Sequence, residues 1–122
     1  STALFVREIM EEVMTDGTGR KSQSEQYRLF GKSGTAQLPK SEGGGYHQDR
    51  YISSFIAGAP FDTPEVVVLC VIDDPDRSLG AWYGGRVAGP VTRDVIDFSL
   101  EYMGVPSDKL PQDASLSDRR TN

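Results

Sequence analysis

The stretch Phe30-Gly31-Lys32-Ser33-Gly34-Thr35-Ala36-Gln37 sets an ammonium, hydroxyls and bare backbone side by side. If it is extended, side chains alternate, so Lys32 and Gly34 share one face and Ser33 and Thr35 the other. A cation and two hydroxyls beside an exposed strand edge can hold a substrate carboxylate through charge-assisted hydrogen bonds. Gly34 would let an acyl-peptide lie close to the backbone, as a strand added to a sheet edge. A main-chain N–H on that edge can also serve as half of an oxyanion hole, and one such donor is typically worth ~3 kcal/mol in rate. Taken alone, a Lys-Ser-Gly triplet fits an ordinary surface strand with a turn-forming glycine as well.

Gly31-Lys32-Ser33 also matches the end of a phosphate-binding loop. That loop needs a glycine where this chain has Gln26, and it opens a helix where this stretch reads as a strand. Other residues offer less. His47 is the single histidine and Cys70 the single cysteine, which excludes disulfide frameworks and Cys-based zinc sites. His47 reads as a solvated loop residue beside Tyr46, and Cys70, inside VVVLCVI, as a buried inert thiol. Asp73, Asp74 and Asp76 lack the spaced ligands and terminal Glu of a calcium loop and read as a turn. Trp82 and Tyr83 read as packing aromatics ahead of a ligand platform. Glu8, Glu11 and Glu12 read as a solvated helix face. No metal and no cofactor are expected.

The motif must be held by neighbouring elements. From Thr2 to Met14, Phe5, Ile9 and Val13 recur every four residues with Val6, Met10 and Met14 beside them, which predicts a helix with one broad apolar stripe. Asp16-Gly17-Thr18-Gly19 stops it. Tyr27 to Gln37 reads as a strand, and Pro39 to Asp49 as a loop around Gly43-Gly44-Gly45. Tyr51 to Ala59 reads as a second strand, ended by Pro60. Val66 to Asp73 is the clearest strand, β-branched and expected to be buried on both faces. Asp74-Pro75-Asp76 turns the chain, and Trp82 to Gly85 leads into a second helix. There Val91, Val95, Phe98 and Tyr102 form the apolar stripe, Pro90 fits the first turn and Gly104 the stop. The predicted fold class is α+β: an antiparallel three-stranded meander with flanking helices packed on it. Residues 1–104 form the folded segment, and 105–122 a polar, loose tail.

A chain of 122 residues, 37% hydrophobic and 25% charged, has the size and composition of one small globular domain. A net charge of −5 argues against a nucleic-acid partner, whose binding needs clustered positive charge. No apolar run approaches the ~18 residues that span a bilayer. No export signal is visible at the N-terminus, so any anchoring element is expected upstream of Ser1.

The surroundings of the triplet make the pattern specific. Val6 to Met10 with Gly17-Thr18-Gly19, Gly31 to Gln37, Tyr51 to Phe55 with Ala59-Pro60, Val66 to Asp73, Tyr83-Gly84-Gly85 and the Ala88 to Val91 helix start follow one another collinearly. In this order and spacing the chain resembles class B penicillin-binding proteins up to about Val105. The resemblance implies the C-terminal part of a transpeptidase domain of the serine β-lactamase and penicillin-binding fold, whose five-stranded sheet has two strands upstream of this segment. It implies that Lys32 is a positive charge in the catalytic cleft that helps proton transfer. Ser33 and Thr35 would bind the carboxylate of a β-lactam or donor peptide, and the Thr35 backbone N–H would be the second oxyanion donor. Ser33 stands where many relatives carry Thr, and both keep the hydroxyl. The family also needs a serine with Lys three residues later and a Ser-x-Asn triplet, and neither occurs here. These residues alone are therefore expected to be inactive, with the nucleophile carried elsewhere in the parent. The function implied is that of a peptidoglycan D,D-transpeptidase at the extracytoplasmic face of the bacterial membrane. Its partners would be stem peptides, β-lactams, the remainder of its own domain and other cell-wall synthesis proteins. A non-catalytic scaffold or sensor module is the alternative, and a β-lactamase a third reading. The Val66 to Asp73 strand is expected to have its free edge covered by the missing part or a partner.

Overall fold

The structure, a computed structural model, describes residues 1–80 and 82–109. Helix α1 spans Thr2–Thr15, and strands β1, β2 and β3 span Phe30–Pro39, Tyr46–Ala59 and Val66–Asp73. A short helix α2 (Gly84–Val87) precedes helix α3 (Gly89–Tyr102), and 3-10 turns occupy Arg20–Ser22 and Arg77–Leu79. The sheet order β1-β2-β3 is antiparallel throughout, the meander predicted.

The β1–β2 hairpin is longer than the sequence suggested. The strand reading of Tyr27 to Gln37 shifts to Phe30–Pro39, and the loop read over Pro39 to Asp49 shrinks to residues 40–45 because β2 begins at Tyr46. Gly43, Gly44 and Gly45 all have φ between 71° and 81°, where a Cβ is strained, so three glycines allow the chain to reverse tightly. Lys40 N–H closes the turn on the Gly45 carbonyl at 2.9 Å. His47 consequently lies half-buried within β2 and not in a solvated loop.

The core forms on one sheet face. Phe55, Ala57 and Ala59 of β2 cluster with Met14 of α1, Ile96 and Leu100 of α3, and Tyr27 and Leu29. Val66, Val68, Cys70 and Ile72 of β3 pack against that cluster. The intervening residues Val67, Leu69 and Val71 face the other way, and Val67 is 64% exposed. The expectation that β3 is buried on both faces is thus corrected: its burial alternates strictly, because helices cover only one side.

Helix α3 also turns a different face inward. Gly89, Thr92, Ile96 and Leu100 are buried, whereas Val91, Val95, Phe98 and Tyr102, the predicted stripe, are exposed, Phe98 by 70%. Small residues decide the choice. A Cβ at Gly89 would overlap the Ser22 hydroxyl, so the helix start can approach the underlying turn only as glycine. Thr92 can be buried because its hydroxyl donates to the Ala88 carbonyl at 2.8 Å. The bulkier stripe does not permit so close an approach. Pro90 does sit in the first turn, and Gly104 (φ 72°) does follow the helix.

Residues 105–109 pack back onto the body instead of leaving it; the rest of the tail reading, 110–122, lies outside the described residues. Tyr27 O–H donates to the Val105 carbonyl at 2.7 Å, and the Asp108 carboxylate accepts from Arg28 N–H at 2.7 Å and Phe61 N–H at 3.0 Å. Asp108 thereby joins the start of β1 to the β2–β3 connection. Asp108→Ala leaves two partly buried N–H groups unpaired and is expected to cost about 2 kcal/mol, read as a lower urea midpoint. Nearby, Glu11 is no solvated residue: its carboxylate holds Arg28 through contacts of 2.7 and 2.9 Å. No helix among the described residues is long and apolar enough to cross a membrane.

Candidate active site

The Lys32–Thr35 stretch lies within β1, an edge strand of the described sheet. It is no helix-opening loop, which removes the phosphate-loop reading. Lys32 pairs across the ladder with Ile56, Ser33 with Phe55, Gly34 with Ser54 and Thr35 with Ser53. Lys32 and Gly34 therefore share the sheet face opposite the core, and Ser33 and Thr35 share the helix-bearing side.

Each side chain has a definite setting. Lys32 is exposed, and its ammonium donates to the Ser33 carbonyl at 2.8 Å. Among the described residues it forms no ion pair. Gly34 lies over Ser54, whose Oγ would stand 2.6 Å from a Cβ there, so a larger residue would have to turn the Ser54 hydroxyl aside. Ser33 Oγ lies 2.9 Å from Thr18 Oγ1, in the loop after α1. Thr35 Oγ1 accepts the Gly84 N–H at 3.1 Å, from the first residue of α2.

Thr18 and Gly84 therefore belong to the site, although by sequence they read only as helix boundaries and pieces of the collinear pattern. Both are brought in by close backbone packing. A Cβ on Gly84 would overlap the Ser54 carbonyl oxygen and lie 2.5 Å from that of Gly34, while one on Gly85 would overlap the Thr18 carbonyl oxygen. The segment before them is clamped too. The buried Ser53 hydroxyl donates to the Trp82 carbonyl, and the Trp82 ring stacks on Tyr51 with centroids 4.4 Å apart. Arg77 lies over both rings, at 5.3 Å from Trp82 and 5.6 Å from Tyr51. The packing role expected of Trp82 is the one observed.

The acidic turn is also accounted for by internal contacts. Arg50 reaches Asp74 at 2.7 Å and, by that hydrogen bond, holds its carboxyl below the ordinary carboxylate range. Asp76 caps the 3-10 turn by accepting from Ser78 N–H at 2.9 Å. Among the described residues, no three His, Cys, Asp or Glu side chains are grouped so as to hold a metal.

The edge strand carrying Lys32 to Thr35 is what the collinear motifs imply, and the bonding of its two hydroxyls by Thr18 and Gly84 is what the structure adds. The penicillin binding protein transpeptidase domain matches residues 1–97. The chain belongs to this family. Stage V sporulation protein D of Bacillus subtilis is 39% identical over 85% of the chain, and a probable peptidoglycan D,D-transpeptidase PenA of Neisseria flavescens is 38% identical over 89%. The chain spans only 16% and 26% of the lengths of these relatives. Among solved structures, the apo transpeptidase domain of penicillin-binding protein 3 from Burkholderia pseudomallei superimposes with a TM-score of 0.77 at 34% identity. That match covers 89% of this chain and 32% of the other. Penicillin-binding protein 3 of Mycobacterium tuberculosis, solved with ampicillin, gives 0.76 at 29% identity over 91% of this chain and 26% of that one. The three-stranded sheet with flanking helices is thus the corresponding part of a penicillin-binding transpeptidase domain.

Proposed function

We propose that this chain supplies the β-edge wall of the active site of a peptidoglycan D,D-transpeptidase, which cross-links cell-wall stem peptides through a serine acyl-enzyme and is acylated by β-lactams. The observation that carries the proposal is one short edge-strand segment bearing the Lys32 ammonium on one sheet face and the Ser33 and Thr35 hydroxyls on the other, the two hydroxyls already bonded by Thr18 and Gly84. In this reading Lys32 is the cation that draws the substrate and assists proton transfer. Ser33 and Thr35 anchor the substrate carboxylate, and Gly34 admits its backbone. The Thr35 N–H is one of the two oxyanion donors. The reaction breaks the acyl C–N bond of the donor peptide, or of the lactam, as a serine oxygen adds to the carbonyl. The serine proton passes by way of the catalytic base to the departing nitrogen.

That serine is not supplied here, since no serine in the chain has Lys three positions on. It is expected to come from a segment of the parent domain outside these residues. The exposed apolar residues support the same reading: Phe5 and Ile9 on α1, Val67, Leu69 and Val71 on β3, and Phe98 and Tyr102 on α3 leave apolar surface on three elements open to a covering partner. The remainder of the domain is proposed to cover them and the free edge of β3. The parent is proposed to act at the extracytoplasmic face of the bacterial membrane with other cell-wall synthesis proteins. Labelled penicillin is expected to attach covalently to the protein carrying the whole domain and not to the 122-residue chain by itself. An unlabelled parent, or an upstream sequence without Ser-x-x-Lys, would favour the non-catalytic scaffold. Steady turnover of a chromogenic β-lactam would favour a β-lactamase.

A further inference from the structure

We infer that Thr18 is a positioning residue that aims the Ser33 hydroxyl proton at the substrate carboxylate. The inference rests on the reading of Ser33 as a carboxylate anchor. A carboxylate only accepts hydrogen bonds, and a serine hydroxyl has one proton to give. Ser33 can therefore serve the substrate only if its proton is not spent on its neighbour. At Thr35 the direction is fixed by chemistry: the Gly84 N–H can only donate, so the Thr35 oxygen receives it and the Thr35 proton stays available. At Ser33 the neighbour is another hydroxyl, Thr18 Oγ1 at 2.9 Å, and either oxygen can donate. With a carboxylate present, the arrangement that satisfies both groups has Thr18 donating to Ser33 and Ser33 donating outward.

Thr18 is built to hold that direction. The N–H groups of Gly17 and Gly19 both converge on the Val13 carbonyl, at 3.1 and 3.0 Å, closing the loop on the last turn of α1. Gly19 is packed so closely that a Cβ would stand 2.6 Å from the Met14 sulfur and 3.2 Å from the Phe55 ring. On the other side Gly85 lies directly against the Thr18 carbonyl. The Thr18 backbone is thus held between the end of α1 and the start of α2, so that its exposed side chain reaches Ser33 from a fixed base. A donor positioned with little reorganisation is the kind that stabilises developing or bound charge most.

The test compares acylation of the protein carrying the whole domain by a labelled penicillin and by the same penicillin with its carboxyl group methyl-esterified. Thr18→Val keeps the shape and removes the hydroxyl; it is expected to slow acylation by the free acid about tenfold and to leave the ester's slower rate unchanged. Thr18→Ser is expected to recover the free-acid rate to within about threefold, since it restores the donor. Equal slowing of both ligands, failure of the serine variant to rescue, or a Thr18→Val rate equal to wild type would each overturn the inference. Ser33→Ala separates the underlying reading. If that variant acylates with the free acid at the wild-type rate, Ser33 is no carboxylate anchor and both statements fall. If it is slow while Thr18→Val is not, only the role of Thr18 does.

Discussion

Replacing Lys32 by alanine in the protein that carries the whole transpeptidase domain is expected to slow acylation by labelled penicillin roughly 10³-fold while leaving the fold intact. The two halves of that expectation come from different observations. The chemistry half follows from position: Lys32 is the cation of the edge-strand segment that also carries the two hydroxyls proposed to hold substrate. A positioned group that assists proton transfer contributes on the order of 10² to 10⁴ in rate, and removing a fixed positive charge also weakens attraction of an anionic ligand. The structural half follows from how little Lys32 holds in place. It is exposed, and its ammonium reaches only the carbonyl of the next residue. Surface truncations of that kind shift stability by no more than about 0.5 kcal/mol. Circular dichroism and the urea midpoint should therefore match wild type while labelling is lost. Undiminished labelling would refute the role given to Lys32. A collapsed midpoint would mean that the lysine acts through structure instead.

Replacement by arginine sharpens the point. Arginine keeps the charge, yet its planar fork and high pKa make it a poor proton carrier. If Lys32 served only to attract a carboxylate, Lys32→Arg should keep most of the labelling rate. A large loss in that variant as well would place the lysine in the proton path.

The strand carrying Lys32 to Thr35 was legible from sequence because its features are local: glycine punctuation and hydroxyls at alternate positions. The three-strand meander was legible for the same reason, the apolar run from Val66 to Ile72 leaving little choice of element. What could not be read locally was which face of an element meets which neighbour. On α3 the larger apolar stripe, Val91 to Tyr102, lost to Gly89, Thr92, Ile96 and Leu100, since the contact was set by the space above Ser22 and not by hydrophobicity. On β3 a continuous apolar run suggested two covered faces, but only tertiary packing can say that helices cover one. Thr18 and Gly84 escaped because their partners lie 15 and 49 positions away in the chain. A signal for both was present: Gly17-Thr18-Gly19 isolates one hydroxyl between two glycines, and Gly84-Gly85 doubles a residue that a helix start does not require. Glycine used against helix propensity marks close approach to another backbone.

Gly84→Ala is expected to be the most disruptive single methyl that can be added to this site. The new Cβ would overlap the Ser54 carbonyl oxygen of β2 and stand 2.5 Å from that of Gly34 in β1, with the Gly34 nitrogen at 3.1 Å. All three contacts are backbone atoms in paired strands, so no side chain can swing away to relieve them. Either α2 lifts off the sheet or the β1–β2 ladder bends. Overpacking of this severity is expected to cost at least about 3 kcal/mol, seen as a large drop in the urea midpoint. Any folded protein that remains should also lose acylation, because moving Gly84 withdraws the N–H that sets the Thr35 hydroxyl. Gly43→Ala supplies the control. Its Cβ would meet nothing within 4 Å, and only its φ of 81° opposes the change, a conformational cost of about 1–2 kcal/mol with no effect on acylation per folded molecule. If Gly84→Ala proved no more damaging than Gly43→Ala, the close seating of α2 on the motif strand would be wrong, and with it the path by which residues 49 positions apart come to share one hydrogen bond.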